Sequence, residues 1–387
     1  MHIGSLIFAQ LMNHLPMHVF HACVARHQGN RYVKSFPCSS QFYCMAFAQL
    51  AHRESLRDIE VCLRAQAPKL YHMGIRGAVA RTTLARANQK RDWRIYAGFG
   101  QELIRIARPL YADEDPGLEL DSPVFALDSS TLDLSLSLFA WALFHQTRSA
   151  VKLHTLLDLQ GSIPAFVHIT HGKVGDVKAL DLLSPEPGAF YVMDRAYLDF
   201  QRLCALHRAG SFFVIHAKKN TRFRRRHSRA IDPASGVLCD QTIVLTGTDT
   251  PDHHPQPLRR VRYRDPESGK VFNFLTNNFV IPPATVAELY RHRWAVELFF
   301  KWIKQHLRIK SSFGTTENAV KTQIWIAISV YVLVAIIRKR LGIEAELYTI
   351  LQILSLTLFE KTPLLQLLTN PPRLNGEPPT SNQLILI

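Results

Sequence analysis

The segment AELYRHRWAVELFFKWIKQHL, residues 287–307, constrains the fold more than any other stretch of this chain. Leu289, Val296, Phe300, Ile303 and Leu307 recur at helical spacing, so the segment reads as an amphipathic helix docked on a larger body. Tyr290, Arg293, Glu297 and Lys304, spaced Y-x2-R-x3-E-x6-K, occupy the adjoining face. At about 100° per residue they fall within roughly a 60° arc over about 20 Å of helix. An aromatic, a guanidinium, a carboxylate and an ammonium in one row suit the gripping of phosphates, with one acid in the middle. Solvated helix faces also carry Arg–Glu pairs, worth a few tenths of a kcal/mol each. Glu297, however, borders the buried stripe, where a carboxylate needs a cation or another partner.

Two upstream runs offer acids to join it. Val124–Leu127 and Phe190–Met193 are short, apolar and β-rich, each with a Pro or Gly at its entrance, and they stop at Asp128 and Asp194. Acids at the ends of neighbouring strands sit on a rigid platform and converge on one point. A helix packed across that sheet brings in Glu297 as the third. Three hard oxygen donors with no Cys/His set suit Mg²⁺ or Mn²⁺ and not zinc. Two such ions about 4 Å apart serve in-line transfer at phosphorus. Asp133, Asp158, Asp176 and Asp181 lie nearby in sequence, with ordinary structural roles open to them.

Asp128, the D-R-A-Y stretch at Asp194 and the Y-x2-R-x3-E-x6-K row around Glu297 together resemble a bacterial insertion-sequence transposase of the DDE class, insertion-sequence family four. The resemblance extends to LTNNF (275–279) before the helix and KQHLRIKSSFGTTENAVKTQIWIAI after it. SLIFAQLMNHLP and AHRESLRDIE are similar to the helical N-terminal domain of one subgroup. Ala196 stands where that family usually has Gly, a change that keeps a small residue. The resemblance implies cut-and-paste transposition: strand cleavage at the terminal inverted repeats, a hairpin made by the freed 3′-hydroxyl, its opening, and strand transfer into target DNA. It implies that Asp128, Asp194 and Glu297 hold two Mg²⁺, with Mn²⁺ as a substitute. It also implies that a homodimer synapses two ends of double-stranded DNA. Tyr290, Arg293 and Lys304 would hold the 5′ side of the cleaved end, where a bidentate guanidinium suits a phosphate. Trp294, about 40° from that face, either stacks on an unpaired base or packs in the core; Tyr263 and Phe272 are further stacking candidates. A nuclease of the same fold, or an inactive or repurposed DNA-binding derivative, remains the alternative. The three intact acids argue against the derivative.

Composition bounds the partners. The 387 residues are 47% hydrophobic, enough for substantial cores in two or three domains. A net charge of +15 favours a polyanion: nucleic acid first, with ribosomal association or an anionic membrane also compatible. The six cysteines include no Cys-x2-Cys pair, so reduced thiols in a cytosol are the default; the resemblance implies a bacterial cytoplasm, with the nucleoid as the place of work. The start shows no basic segment followed by an apolar one. Ile324–Ile337 is shorter than the roughly 20 residues needed to span a bilayer and runs into Arg338, Lys339 and Arg340; it reads as a buried helix, with no membrane partner.

The expected class is mixed α/β. Residues 1–110 read as a helical, basic N-terminal domain, which the resemblance implies binds DNA ends, with Thr82 or Thr83 capping a short helix that carries Arg86, Gln89, Lys90 and Arg91; Arg86 and Arg91 are candidate DNA contacts. Residues 120–217 read as the first part of a ribonuclease-H-like catalytic core, with a hairpin around Gln160-Gly161. Residues 218–280 read as a β-rich insertion domain whose Arg260 and Arg262 face DNA phosphates. Residues 281–342 complete the core with Glu297, and 343–387 form a helical C-terminal segment for packing or subunit contact.

Overall fold

The computed structural model describes residues 4–114, 117–118, 120, 122–134, 140–145, 148–247, 254–307 and 313–369. Six helices come first: α1 (Ile7–Met12), α2 (Met17–Arg26), α3 (Cys38–Leu50), α4 (Leu56–Ala65), α5 (Arg81–Lys90) and α6 (Arg94–Leu110). Pro16 separates α1 from α2, as its missing N–H requires. Ser55 caps α4, its Oγ accepting from the Asp58 amide at 3.1 Å, a contact worth about 1 kcal/mol. The caps expected for α5 are not used: the chain turns helical at Arg81, directly after Ala80, which places Thr82 and Thr83 inside the first turn.

The sheet comprises β1 (Val124–Leu134), β2 (Leu143–His145), β3 (Arg148–Asp158), β4 (Ile163–His171), β5 (Phe190–Met193), β6 (Phe212–His216), β7 (Phe223–Arg229), β8 (Val237–Leu245), β9 (Leu258–Arg264) and β10 (Val271–Thr276). Its order is β2-β3-β1-β5-β6-β10-β9-β8-β7, with β4 paired to β3. β1 is antiparallel to β3 and parallel to β5, and β5 is parallel to β6. This is a ribonuclease-H-like mixed sheet behind a helical N-terminal region. The hairpin expected around Gln160-Gly161 is β3–β4. The strands of 218–280 continue the same sheet, because β10 pairs antiparallel with β6.

Asp128 does not end its strand, contrary to the sequence reading. β1 runs on to Leu134 because β3 stays paired with it to Ser149, whereas the parallel pairing with β5 stops at Leu127↔Met193. The continuous apolar run therefore ends at Leu127 with the β5 pairing, although hydrogen bonding to β3 continues. The period-two alternation of these strands feeds two cores. Val124, Ala126, Phe190 and Val192 face the larger core, while Phe125, Leu127, Tyr191 and Met193 face the smaller. Helix α7 (Phe200–Arg208) covers the smaller one through Leu203 and Leu206.

The remaining helices are α8 (Pro283–His292), α9 (Trp294–Leu307), α10 (Glu317–Arg340), α11 (Leu347–Thr357) and α12 (Leu364–Thr369). The single helix expected over 287–307 is thus two. At Arg293 the hydrogen bonds shorten to i→i−3, the Arg293 amide reaching Tyr290 O and the Val296 amide reaching Arg293 O. The tightened turn resets the phase that a uniform helix would carry through. Leu289, Val296, Phe300 and Ile303 are buried as expected; the side chain of Leu307 lies outside the described residues. Helix α8 packs on β5, β6 and β9, and α9 packs on β1 and β3.

α10 is the core helix of the protein, buried from Ala319 to Ile337 and packed against α3, α5 and α6. It is the one described helix long and apolar enough to cross a membrane, and its side chains are spent inside the fold. Gly100 of α6 permits the close approach: a Cβ there would come within 2.9 Å of the Trp325 ring. The Leu-rich tail is helical through α12; the segment from Pro371 onward lies outside the described residues.

One buried ion pair ties the sheet extension to the lead-in of α8. Arg259, 2% exposed, donates from Nε and Nη2 to both oxygens of Asp240 at 2.9 and 2.8 Å. Its Nη1 reaches the carbonyl of Ile281 at 2.6 Å. Removing one partner strands a buried charge, which costs about 3–5 kcal/mol. Asp240→Ala is therefore expected to lower stability by about 3 kcal/mol or more in chemical denaturation. Wild-type stability in that variant would show that Arg259 draws its compensation from the carbonyls alone.

Candidate active site

Because Leu127 pairs with Met193, the next residues, Asp128 and Asp194, leave adjacent strands side by side. Helices α8 and α9 cross that point and add Tyr290, Arg293 and Glu297. Arg293 is the hub. Its Nη1 donates to Asp128 Oδ2 at 2.7 Å and its Nη2 to Glu297 Oε1 at 2.6 Å. The Tyr290 hydroxyl donates to Asp194 Oδ1 at 3.1 Å, and the guanidinium carbon lies 5.4 Å from the Tyr290 ring centre. Arg293 thus joins Asp128 to Glu297, and Tyr290, beside its guanidinium, brings in Asp194. Among the described residues, no three of His, Cys, Asp or Glu form a ready-made metal cage.

The electrostatics follow from this crowding. Burial pushes the Asp128 carboxyl up to about 6 from the usual 3.8. Arg293 and the Ser129 amide, which donates at 2.7 Å, pull the other way, while Glu297 and Asp194 add to the rise. Burial also raises the Tyr290 hydroxyl, to about 12, with the charge of Asp194 adding to it. Tyr290 is therefore a neutral donor at physiological pH.

Several neighbours were given no place at this site from sequence. Ser129 Oγ donates to Asp176 Oδ1 at 2.6 Å, and Lys152 Nζ lies 3.0 Å from the same oxygen. Asp176 thereby braces the strand that carries Asp128. The Tyr197 hydroxyl, from the D-R-A-Y stretch, is buried without a hydrogen-bond partner. Burial and the charges of Asp128 and Asp176 hold its pKa far above the ordinary tyrosine range. His216 of β6 sits with its ring 6.0 Å from Tyr290. Asp176, three residues before Ala179, carries no sequence mark of this particular role. Asp158 and Asp181 do take structural roles, pairing with Arg108 and Arg202.

Beside the acids opens an aromatic cleft of about 370 Å³, lined by Tyr263, Phe272, Phe274, Tyr290 and Trp294. Phe272 and Phe274 stack with centroids 5.8 Å apart, and Tyr290 lies 4.8 Å from Phe274. Trp294 is 58% exposed. It does not pack in the core, contrary to one of the two readings open for it.

The other cations divide. Lys304 is exposed, beyond Glu297 on α9. Arg86 is exposed on α5 and lines a groove of about 440 Å³ with Arg31, Lys34 and Lys90. Arg91 is not available as a DNA contact: it is buried, with Nη1 on Gln41 Oε1 at 2.8 Å and on the Pro37 carbonyl at 3.2 Å. The helix ends one residue before it, which turns it inward. Arg262 is exposed on β9, whereas Arg260 is half-buried and held by Asn273 and Gln241 at 2.9 and 2.7 Å. A face on which alternate arginines all point to solvent is thus not formed, because the strands on either side of β9 offer Arg260 amide oxygens.

Residues 119–333 match the family described as "Transposase DDE domain", and residues 3–76 match a "Domain of unknown function (DUF4372)". The chain is 30% identical over 249 residues to the putative transposase y4zB of Sinorhizobium fredii, covering 64% of this chain and 69% of that protein. It is 36% identical over 222 residues to the probable transposase for insertion sequence element IS5377 of Geobacillus stearothermophilus, covering 56% and 57%. It is 25% identical over 263 residues to the putative transposase for insertion sequence element IS4SA of Synechocystis, covering 66% and 71%.

The titration of Asp128 checks this geometry directly. A carboxyl raised to about 6 gains protons on folding, so its contribution to stability grows as pH falls through 6. Its ¹³C resonance in the DNA-free protein is expected to titrate near 6, and Arg293→Gln is expected to move the midpoint higher. A midpoint below about 4.5 would mean a solvated carboxylate.

Proposed function

The chain belongs to the transposase DDE-domain family, and from that premise we propose that it moves an insertion sequence by cut-and-paste transposition, as a member of insertion-sequence family four. The observation that carries this reading is the gathering of Asp128, Asp194 and Glu297 around Arg293 and Tyr290.

Transposases of this family generally use divalent metal ions, and the residues present fit them. The donor set is entirely carboxylate, and it already surrounds a positive group, which marks the pocket as one that requires a cation. We assign Asp128, Asp194 and Glu297 to hold two Mg²⁺, with Mn²⁺ able to replace them. When bound, such ions supply Lewis acidity to the attacking and leaving oxygens of an in-line displacement.

The chain's own residues do the rest. Asp128 and Asp194, fixed to adjacent strands, keep the reacting phosphorus in one place through successive displacements. In the first, water adds to phosphorus and the bond to the 3′-oxygen of the element breaks. In the second, that 3′-hydroxyl adds to the opposite strand, which closes a hairpin and releases the flanking DNA. Water opens the hairpin, and the 3′-hydroxyls then attack target DNA. Each step makes one P–O bond and breaks one, so one site serves all four. Tyr290, Arg293 and Lys304 hold the 5′ strand beside it. The aromatic cleft with Trp294 at its rim receives a base unstacked by the tight bend.

The N-terminal helices bind the terminal inverted repeats through the basic groove of Arg31, Lys34, Arg86 and Lys90, and exposed arginines such as Arg262 hold phosphates farther along. Two copies synapse two ends; Leu356 and Leu365, exposed on α11 and α12, offer apolar surface for such contact.

Glu297→Gln is expected to abolish nicking of end-bearing DNA in Mg²⁺ while leaving end binding in a gel-shift assay within about twofold. Full cleavage by that variant would sink the assignment, and nicks without hairpins from wild type would indicate a nuclease. Trp294→Ala is expected to slow hairpin formation at least about tenfold, the scale of one lost base stack, with first-strand nicking little changed. Equal loss of both steps would remove the cleft from the mechanism.

A further inference from the structure

Arg293 stands in the place where the acids would take their cation. Its fork spends Nη1 on Asp128 and Nη2 on Glu297, and its side chain is only 13% exposed. The Nε–H is buried with no hydrogen-bond partner. The third acid is tied to the same group indirectly, since Tyr290, under the guanidinium, donates to Asp194. We propose that Arg293 is a built-in counter-ion, which blocks divalent cation loading until a DNA end draws it away. The inference rests on the proposed reading of the three acids as the cation site.

The argument is one of shared lone pairs. While the guanidinium holds Asp128 Oδ2 and Glu297 Oε1, a divalent ion meets a reduced donor set and a like charge at close range, so loading is favoured by the departure of Arg293. Leaving bare carboxylates behind would be costly without the incoming charge, and moving an unpaired guanidinium would be costly without an anion to receive it. A phosphodiester supplies that anion. It can take the fork in bidentate fashion, including the Nε–H that the carboxylates leave unpaired. The joint for such a swing lies in the chain itself, because the helix is interrupted at Arg293. DNA-end binding and cation binding are then linked, each strengthening the other by the same factor.

The test reads metal binding, not turnover. Mn²⁺ is titrated into full-length protein without DNA and free Mn²⁺ is followed by electron paramagnetic resonance. The proteins compared are wild type, Arg293→Gln, Arg293→Lys, Asp194→Asn and the Arg293→Gln/Asp194→Asn double variant. Arg293→Gln is expected to bind Mn²⁺ at least about tenfold tighter than wild type, within the usual range of site-to-site coupling. Arg293→Lys, which keeps the charge without the fork, is expected to fall between them, and it decides the matter if the Gln variant does not fold. An end-bearing duplex is expected to shift wild type toward the Arg293→Gln affinity. Unchanged or weaker Mn²⁺ binding in the Arg293 variants, with Asp194→Asn still weakening it, would overturn the counter-ion role and leave the cation site standing. Mn²⁺ binding indifferent to Asp194→Asn in both backgrounds would instead overturn the cation site itself.

Discussion

The parallel pairing of β1 with β5 is the constraint on which the rest depends. It ends at Leu127↔Met193, so two aspartates emerge together at a point where one strand stops and the other continues. Everything else at the site is arranged to make that juxtaposition tolerable. Arg293 and Tyr290 come in from the crossing helices to occupy the carboxylate oxygens. Behind them, Ser129 of β1 and Lys152 of β3 hold Asp176, which lies in the loop after β4. A pocket with this density of acid is stable only with positive charge inside it, and the Asp128 carboxyl stays raised chiefly because it is buried.

Much of this was legible in the sequence, for identifiable reasons. Two apolar runs with an acid at their ends are local patterns, and so is a row of polar residues beside an apolar stripe. Local patterns gave the positions of the strands, the burial of α10 and three acids that the fold brings together. The continuation of β1 past Asp128 was not legible, because it depends on a partner strand some twenty-five residues away. The break at Arg293 left no mark either: no Pro or Gly sits there, and the tightened turn is imposed by packing on the sheet. The same holds for Arg91 and Arg260. Their neighbours in sequence are basic and polar, and only the fold turns them toward the Pro37 carbonyl and the Asn273 amide.

The larger core explains how the helical N-terminal region and the sheet cohere. α10 presents apolar side chains on all sides, as a helix surrounded by protein must. α3, α5 and α6 cover part of it, and Asn318 at its start accepts from the Trp93 amide and donates to the Asn88 and Arg91 carbonyls. The N-terminal helices are therefore fastened to the element that follows the Glu297 helix, through polar contacts as well as apolar ones.

The shared sheet has a metric consequence. Strands β7 to β10 are not hung on the core by a linker but hydrogen-bonded into it, so the exposed arginines of β7 and the acids of β1 belong to one lattice. Six strand spacings separate β1 from β7, or about 29 Å at roughly 4.8 Å each. That span equals about eight base pairs of duplex. The distance between the backbones of β1 and β7 is thus set by interstrand hydrogen bonds, with no linker between them to flex.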